Sequence, residues 1–129
     1  MAQNNRIVEK REFFRLNFSA PLNFKAFKPQ NAEAEATAKN ISQSGVLFQM
    51  PENPPAISSI LWMDLDLRTL KICQEIENRA LFFNNGVLGK VVRVEEDVRT
   101  GNSYDVGVCF LTRDQQNTRE VQDILNRIK

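Results

Sequence analysis

At 129 residues, with 42% hydrophobic and 26% charged positions, the chain has the make-up of one globular domain, long enough to bury a core without a metal or disulfide staple. It has no histidine and only two cysteines, Cys73 and Cys109, outside any CxxC spacing, which removes the usual zinc sites and every histidine-based acid–base or triad mechanism. The formal net charge of +1 conceals a basic segment over residues 6–28, where Arg6, Lys10, Arg11, Arg15, Lys25 and Lys28 stand against Glu9 and Glu12. Such a segment suits one compact anion better than a long nucleic acid, which asks for a broad basic face.

No apolar signal-peptide core opens the chain and no apolar run reaches membrane-spanning length, so cytoplasmic residence without membrane insertion is the expectation. Residues 1–8 are expected to be a flexible N-terminal segment ahead of a single domain over 9–129. From Phe14 to Ala26 every even position is apolar, and period two predicts a strand, with Pro21 demanding an edge position or a bulge midway. Ala32, Ala34, Ala36 and Ala38 alternate with Glu33, Glu35, Thr37 and Lys39, which reads as a pairing strand although alanine and glutamate are good helix formers. A third strand is predicted over 45–50, ended by Pro51, Pro54 and Pro55.

After a long loop, residues 57–67 alternate again and predict a fourth strand carrying Trp62, whose indole is expected to pack rather than stack on a ligand. Residues 69–83 are ambiguous: Leu70, Cys73, Ile76 and Ala80 approximate helical spacing, whereas Leu81, Phe82 and Phe83 read as a strand entering a turn. Two further strands over 87–94 and 104–111 form a hairpin with its turn at Gly101 and Asn102, and Cys109 within the second reads as a small buried hydrophobe. Val121, Ile124, Leu125 and Ile128 recur at helical spacing, so an amphipathic helix with Asp114 as a candidate N-cap packs one stripe on the sheet. The fold class is therefore mainly β, about six antiparallel strands and a C-terminal α-helix.

Two clusters carry chemistry: Arg11-Glu-Phe-Phe-Arg15 and Asn40-Ile-Ser42-Gln-Ser-Gly45. Taken singly each is weak, because arginines four apart are commonly solvated and a polar pair ending in glycine is commonly a turn. Their order, separation and strand context together resemble the PilZ family, whose members carry RxxxR near the N-terminus and [D/N]xSxxG shortly after. The resemblance extends through residues 89–94 and 104–110 and covers most of the chain after Glu9. It implies a six-stranded antiparallel β-barrel of the PilZ split-barrel type with a C-terminal helix, and a bacterial receptor for the second messenger cyclic di-GMP. It further implies that the arginine motif lies on a flexible arm that wraps the ligand against the barrel, while the second motif lines the barrel surface.

The chemistry of these residues agrees with that reading. Cyclic di-GMP offers two phosphates and two guanines, and the planar arginine fork donates paired hydrogen bonds to phosphate oxygens or to guanine O6 and N7, a geometry lysine cannot copy. Arg11 and Arg15 are assigned that role, with Arg6 and Lys10 as additional nearby charges. Asn40 can accept from guanine N–H groups through its amide oxygen, though an aspartate would do so with charge assistance; Ser42 supplies a hydroxyl to the ligand or to the turn itself. Gly45 is expected to permit a positive φ or a close ligand approach.

No metal, cofactor or catalytic residue is predicted, and the expected partners are cyclic di-GMP and an unidentified downstream protein, with no nucleic-acid polymer. A PilZ-like protein-interaction adaptor that does not bind the nucleotide is the alternative. An OB-like barrel for single strands fits less well, since most of the nine phenylalanines fall on the apolar phase of strands. An enzyme fits least: Asp64, Asp66, Glu95, Glu96 and Asp97 are the clustered carboxylates, and a solvated strand face or loop explains them.

Overall fold

The computed structural model describes residues 16–27, 32–64, 79–83, 86–99 and 101–128. The expectation of a flexible segment over 1–8, the helix-or-strand ambiguity over 69–78 and the arginine cluster all lie outside the described residues. Within them the chain runs β1 (Leu16–Ala26), β2 (Ala32–Ile41), β3 (Gly45–Met50), β4 (Ile60–Asp64), β5 (Phe82–Phe83), β6 (Gly86–Glu96), β7 (Tyr104–Phe110), a 3-10 turn (Arg113–Gln115) and α1 (Arg119–Ile128). The sheet order is β4-β1-β2-β3-β7-β6, and β4 pairs again with β6, so six antiparallel strands close on themselves; the two-residue β5 adds to β6. Closure leaves those six strands paired on both sides, which removes the edges that promote aggregation.

The period-two pattern fills the barrel. Leu22, Phe24, Ala36, Ala38, Phe48, Leu61, Met63, Val91, Val106 and Val108 point inward and are buried, with the rings of Phe24 and Phe48 stacked at 5.3 Å. Small residues on β2 make room for large ones opposite: Ala38 faces Phe48 in register, and Ala36 faces Leu22. Gly89 does the same on β6, where an added Cβ would lie 2.4 Å from Val108 Cγ1. The alanine-rich segment is thus a strand despite its helix propensity, because its pairing with β1 and β3 dominates the local preference.

A second apolar cluster lies on the outer face of the wall. Ile60, Trp62 and Leu88 occupy the outward phase of β4 and β6, and with Phe27, Leu81 and Leu111 they meet Val121, Ile124 and Leu125 of α1. Trp62 packs as expected, donating its indole N–H to the Phe83 carbonyl at 2.6 Å and lying where a side chain on Gly86 would collide with it. Arg127 in the last turn of α1 donates to the Phe27 carbonyl at 3.2 Å, fastening the helix to the end of β1.

Several expectations need correction. The residue that caps α1 is Thr118, whose carbonyl accepts from Gln122 N–H and whose hydroxyl accepts from Val121 N–H, and not Asp114; Asp114 accepts from the Thr112 hydroxyl within the preceding 3-10 turn. The fourth strand is confined to 60–64 among the described residues, since Ser58 takes a φ of 78° in the turn before it. Asp97 is buried, accepting from Gln49 Nε2 at 3.2 Å and Arg99 N–H at 3.0 Å, so it organises the β6–β7 turn instead of standing in solvent. The turn itself is as expected, with Gly101 at φ 70° donating to the Asp97 carbonyl. Cys109 is exposed, because Val108 and Phe110 on either side take the inward phase.

If the α1 stripe is a true second core, Ile124→Ala removes a side chain only 1% exposed and is expected to cost about 2–5 kcal/mol of stability. A urea unfolding curve measures it through a lowered midpoint at unchanged slope.

Candidate functional site

Strict alternation along β2 would send Asn40 inward after Ala34, Ala36 and Ala38. It does not point there, because the register against β3 slips by one residue between Ala38 and Asn40, leaving Lys39 as the extra residue of a β-bulge. The slip reverses the facing of everything beyond it. Ile41 becomes the fully buried residue, and Asn40 turns to the outer surface beside Leu47. A matching slip on β6 between Val91 and Arg93 leaves Val92 as the extra residue, 51% exposed, and brings Arg93 outward opposite Gly107. This second bulge falls where the chain before β4 ties itself to β6, through Ser58 N–H to the Val91 carbonyl at 2.8 Å and Val91 N–H to the Ser59 carbonyl at 2.9 Å.

The two bulges frame an open surface pocket of about 330 Å³ across β2, β3, β7 and β6. Its cross-strand row is Asn40, Leu47, Gly107 and Arg93, each paired in register with the next. Asn40, Ser42 and Ser44 line one end, Arg93 and Val92 the other, and Cys109 lies between them. Gly107 supplies no side chain, so the middle of the floor is bare backbone.

Ser42 and Ser44 belong to the tight connection between β2 and β3. Ser42 N–H donates to the Gly45 carbonyl at 2.8 Å, and Ser44 N–H donates to Ser42 Oγ at 3.2 Å, an ST-type bond that shapes the turn. That bond uses Ser42 Oγ as an acceptor; Ser44 Oγ lies 3.2 Å away and either hydroxyl can donate, so when Ser44 is the donor the Ser42 proton is left for the pocket. Gly45 differs from expectation. Its φ is not positive, and the constraint on it comes from the neighbouring strand: a Cβ there would sit 2.2 Å from the Val108 carbonyl oxygen of β7.

Asn40, Ser42 and Gly45 are therefore brought together on one face. Arg6, Lys10, Arg11 and Arg15 lie outside the described residues. Leu16, the residue that follows Arg15, pairs with Ile41, and Asn17 pairs with Asn40. The chain thus joins the sheet directly against the Asn40–Ser42 end of the pocket.

Reading the sequence missed Arg93, Leu47 and Gly107. Arg93 lies in a run where Val87, Gly89 and Val91 set an inward phase, and counting by twos would bury it; a cation at an apparently inward position was the available signal of a bulge. Among the described residues no group of three or more His, Cys, Asp or Glu side chains could hold a metal, and no helix is long and apolar enough to cross a membrane.

Gly45→Ala is expected to destabilise the fold by about 1–3 kcal/mol, the scale of an overpacked contact, since the obstructing atom is backbone. Thermal unfolding followed by circular dichroism reads this without any ligand.

Comparison with known proteins bears on the family of the chain. The family model described as the PilZ domain matches residues 9–127. One solved structure similar to the chain, "Structure of K. pneumonia MrkH-c-di-GMP complex", aligns over 88% of this chain and 50% of that one, at 13% identity and a TM-score of 0.44. The chain spans half the length of that protein. No curated protein matches.

Proposed function

The chain belongs to the PilZ domain family, and from that premise we propose that it is a cytoplasmic receptor for cyclic di-GMP that relays the ligand's presence to a protein partner and carries out no catalysis. The observation that carries the proposal is the pairing of Leu16 with Ile41, which starts β1 beside Asn40 and Ser42 and so brings the chain position next to Arg15 to the pocket that those two residues line.

In this reading Arg11 and Arg15 direct their forks onto the phosphates and the Hoogsteen edge of a guanine, with Arg6 and Lys10 adding to the local potential. Asn40 accepts from guanine N1–H or N2–H, and Ser42 donates from the turn while its lone pair holds Ser44 N–H. Gly45 contributes indirectly: it lets β3 lie close against β7 and so keeps the floor of the pocket flat. An arm that closes over the nucleotide changes the surface a partner meets, which converts binding into a signal.

Isothermal titration with cyclic di-GMP tests the proposal directly. Saturable binding is expected in the wild-type chain, and Arg11→Ala or Arg15→Ala should each weaken it by about 1–3 kcal/mol, the scale of a lost bidentate contact. A flat titration would leave the family's other possibility, an adaptor that works through protein contact alone. Cys109 offers an independent reading of where the ligand sits, since its free, exposed thiol lines the pocket. In a Cys73→Ser background, cyclic di-GMP is expected to slow alkylation of Cys109, and an unchanged rate at saturating ligand would place the nucleotide elsewhere.

A further inference from the structure

We propose that Arg93 is a further ligand contact, holding the end of the nucleotide remote from Asn40 and making the site favour a ligand with two anionic, guanine-bearing halves over one with a single half. This rests on the cyclic di-GMP reading and adds a residue that neither of the two motifs contains. Three observations carry it. Arg93 lines the same pocket as Asn40 and Ser42 and terminates the same cross-strand row. Its side chain leans over Gly107: a Cβ built there would meet Arg93 Cβ at 3.5 Å and Nε at 3.9 Å, ordinary van der Waals contact, so Arg93 runs from β6 over β7 toward the centre of the floor.

The third observation is that Arg93 is only loosely held. Its ion pair with Glu95 is long, 3.8 Å, and both side chains are more than half exposed, at 57% and 60%. An exposed, long pair of this kind is weak and readily exchanged for a charge-assisted contact with better geometry. The bulge at Val92 is then the device that makes the contact available, since without the extra residue Arg93 would share the inward phase of Val91.

The distance sets the selectivity. Asn40 and Arg93 stand on strands three spacings apart, about 14 Å along the sheet. A mononucleotide has one phosphate and one base and can satisfy one end of the row, whereas the cyclic dinucleotide carries one of each per half and can engage both.

The experiment compares wild type, Arg93→Ala and Arg93→Lys by titration with cyclic di-GMP and with GMP. Arg93→Ala is expected to lose about tenfold in affinity for cyclic di-GMP, within the range of a forked contact, while its affinity for GMP stays within twofold of wild type, so the preference between the two ligands falls. Arg93→Lys keeps the charge without the fork and should recover only part of the loss. Unchanged cyclic di-GMP binding by Arg93→Ala, an equal loss for both ligands, or full recovery by Arg93→Lys would each overturn the assignment while leaving the receptor reading intact. Absence of binding by the wild-type chain would instead remove the receptor reading and this inference with it. Because Arg93 is on the surface, the melting temperature of both variants should match wild type, which separates a lost contact from a lost fold.

Discussion

The arrangement depends on a constraint of the pleated sheet: a strand has two faces, and only an unpaired extra residue can exchange them without breaking the ladder. Lys39 and Val92 are those residues. On β2 the exchange lets one strand give Ala36 and Ala38 to the core, then Asn40 to the surface, then Ile41 to the core again. On β6 it lets Val91 fill the barrel and Arg93 stand outside within two positions. The polar groups of the pocket are thus outside the core without any loss of core volume, and a buried asparagine or arginine, which would carry a heavy desolvation cost, is avoided.

The apolar layers divide the labour of the barrel wall. The outer face of β4 and β6 is covered by α1 and the Trp62 cluster, whereas the pocket opens on β2, β3, β7 and the stretch of β6 beyond the helix cluster. Stability is drawn from two cores, one inside the barrel and one under the helix. Neither core uses Asn40, Ser42 or Arg93, so the chemistry of the pocket can vary with little effect on folding. Gly45 is the exception, a pocket residue whose requirement is steric and internal.

Much of this was legible from the residues. The stretch from Ala20 to Ala26, the segment 45–50 ended by prolines and the amphipathic C-terminus each became the element their periodicity predicts, because side-chain alternation and burial agree there, and the Gly101 turn formed where its residues place it. The alanine–glutamate segment was readable only by pattern, propensity pointing the other way. What escaped were features that break a period. A bulge has no residue signature comparable to a proline or glycine turn, so the outward turn of Arg93 and the route by which Asn40 reaches the surface came from register. The exposure of Cys109 was a matter of phase, since an apolar-looking run of Val106 to Phe110 has only alternate members inside. Gly107 in the same run is informative by having no side chain, which a hydropathy pattern registers only as a weak position.

The bare lane at Gly107 has an implication for how such a surface diversifies. A methyl at Gly107 would rest in ordinary contact with Arg93 Cβ and Nε, at 3.5 and 3.9 Å, whereas a larger side chain would stand in the lane that Arg93 crosses. The bulk carried at this one position therefore sets how wide a surface lies open between Asn40 and Arg93, and a large residue there would narrow it with the barrel beneath left as it was.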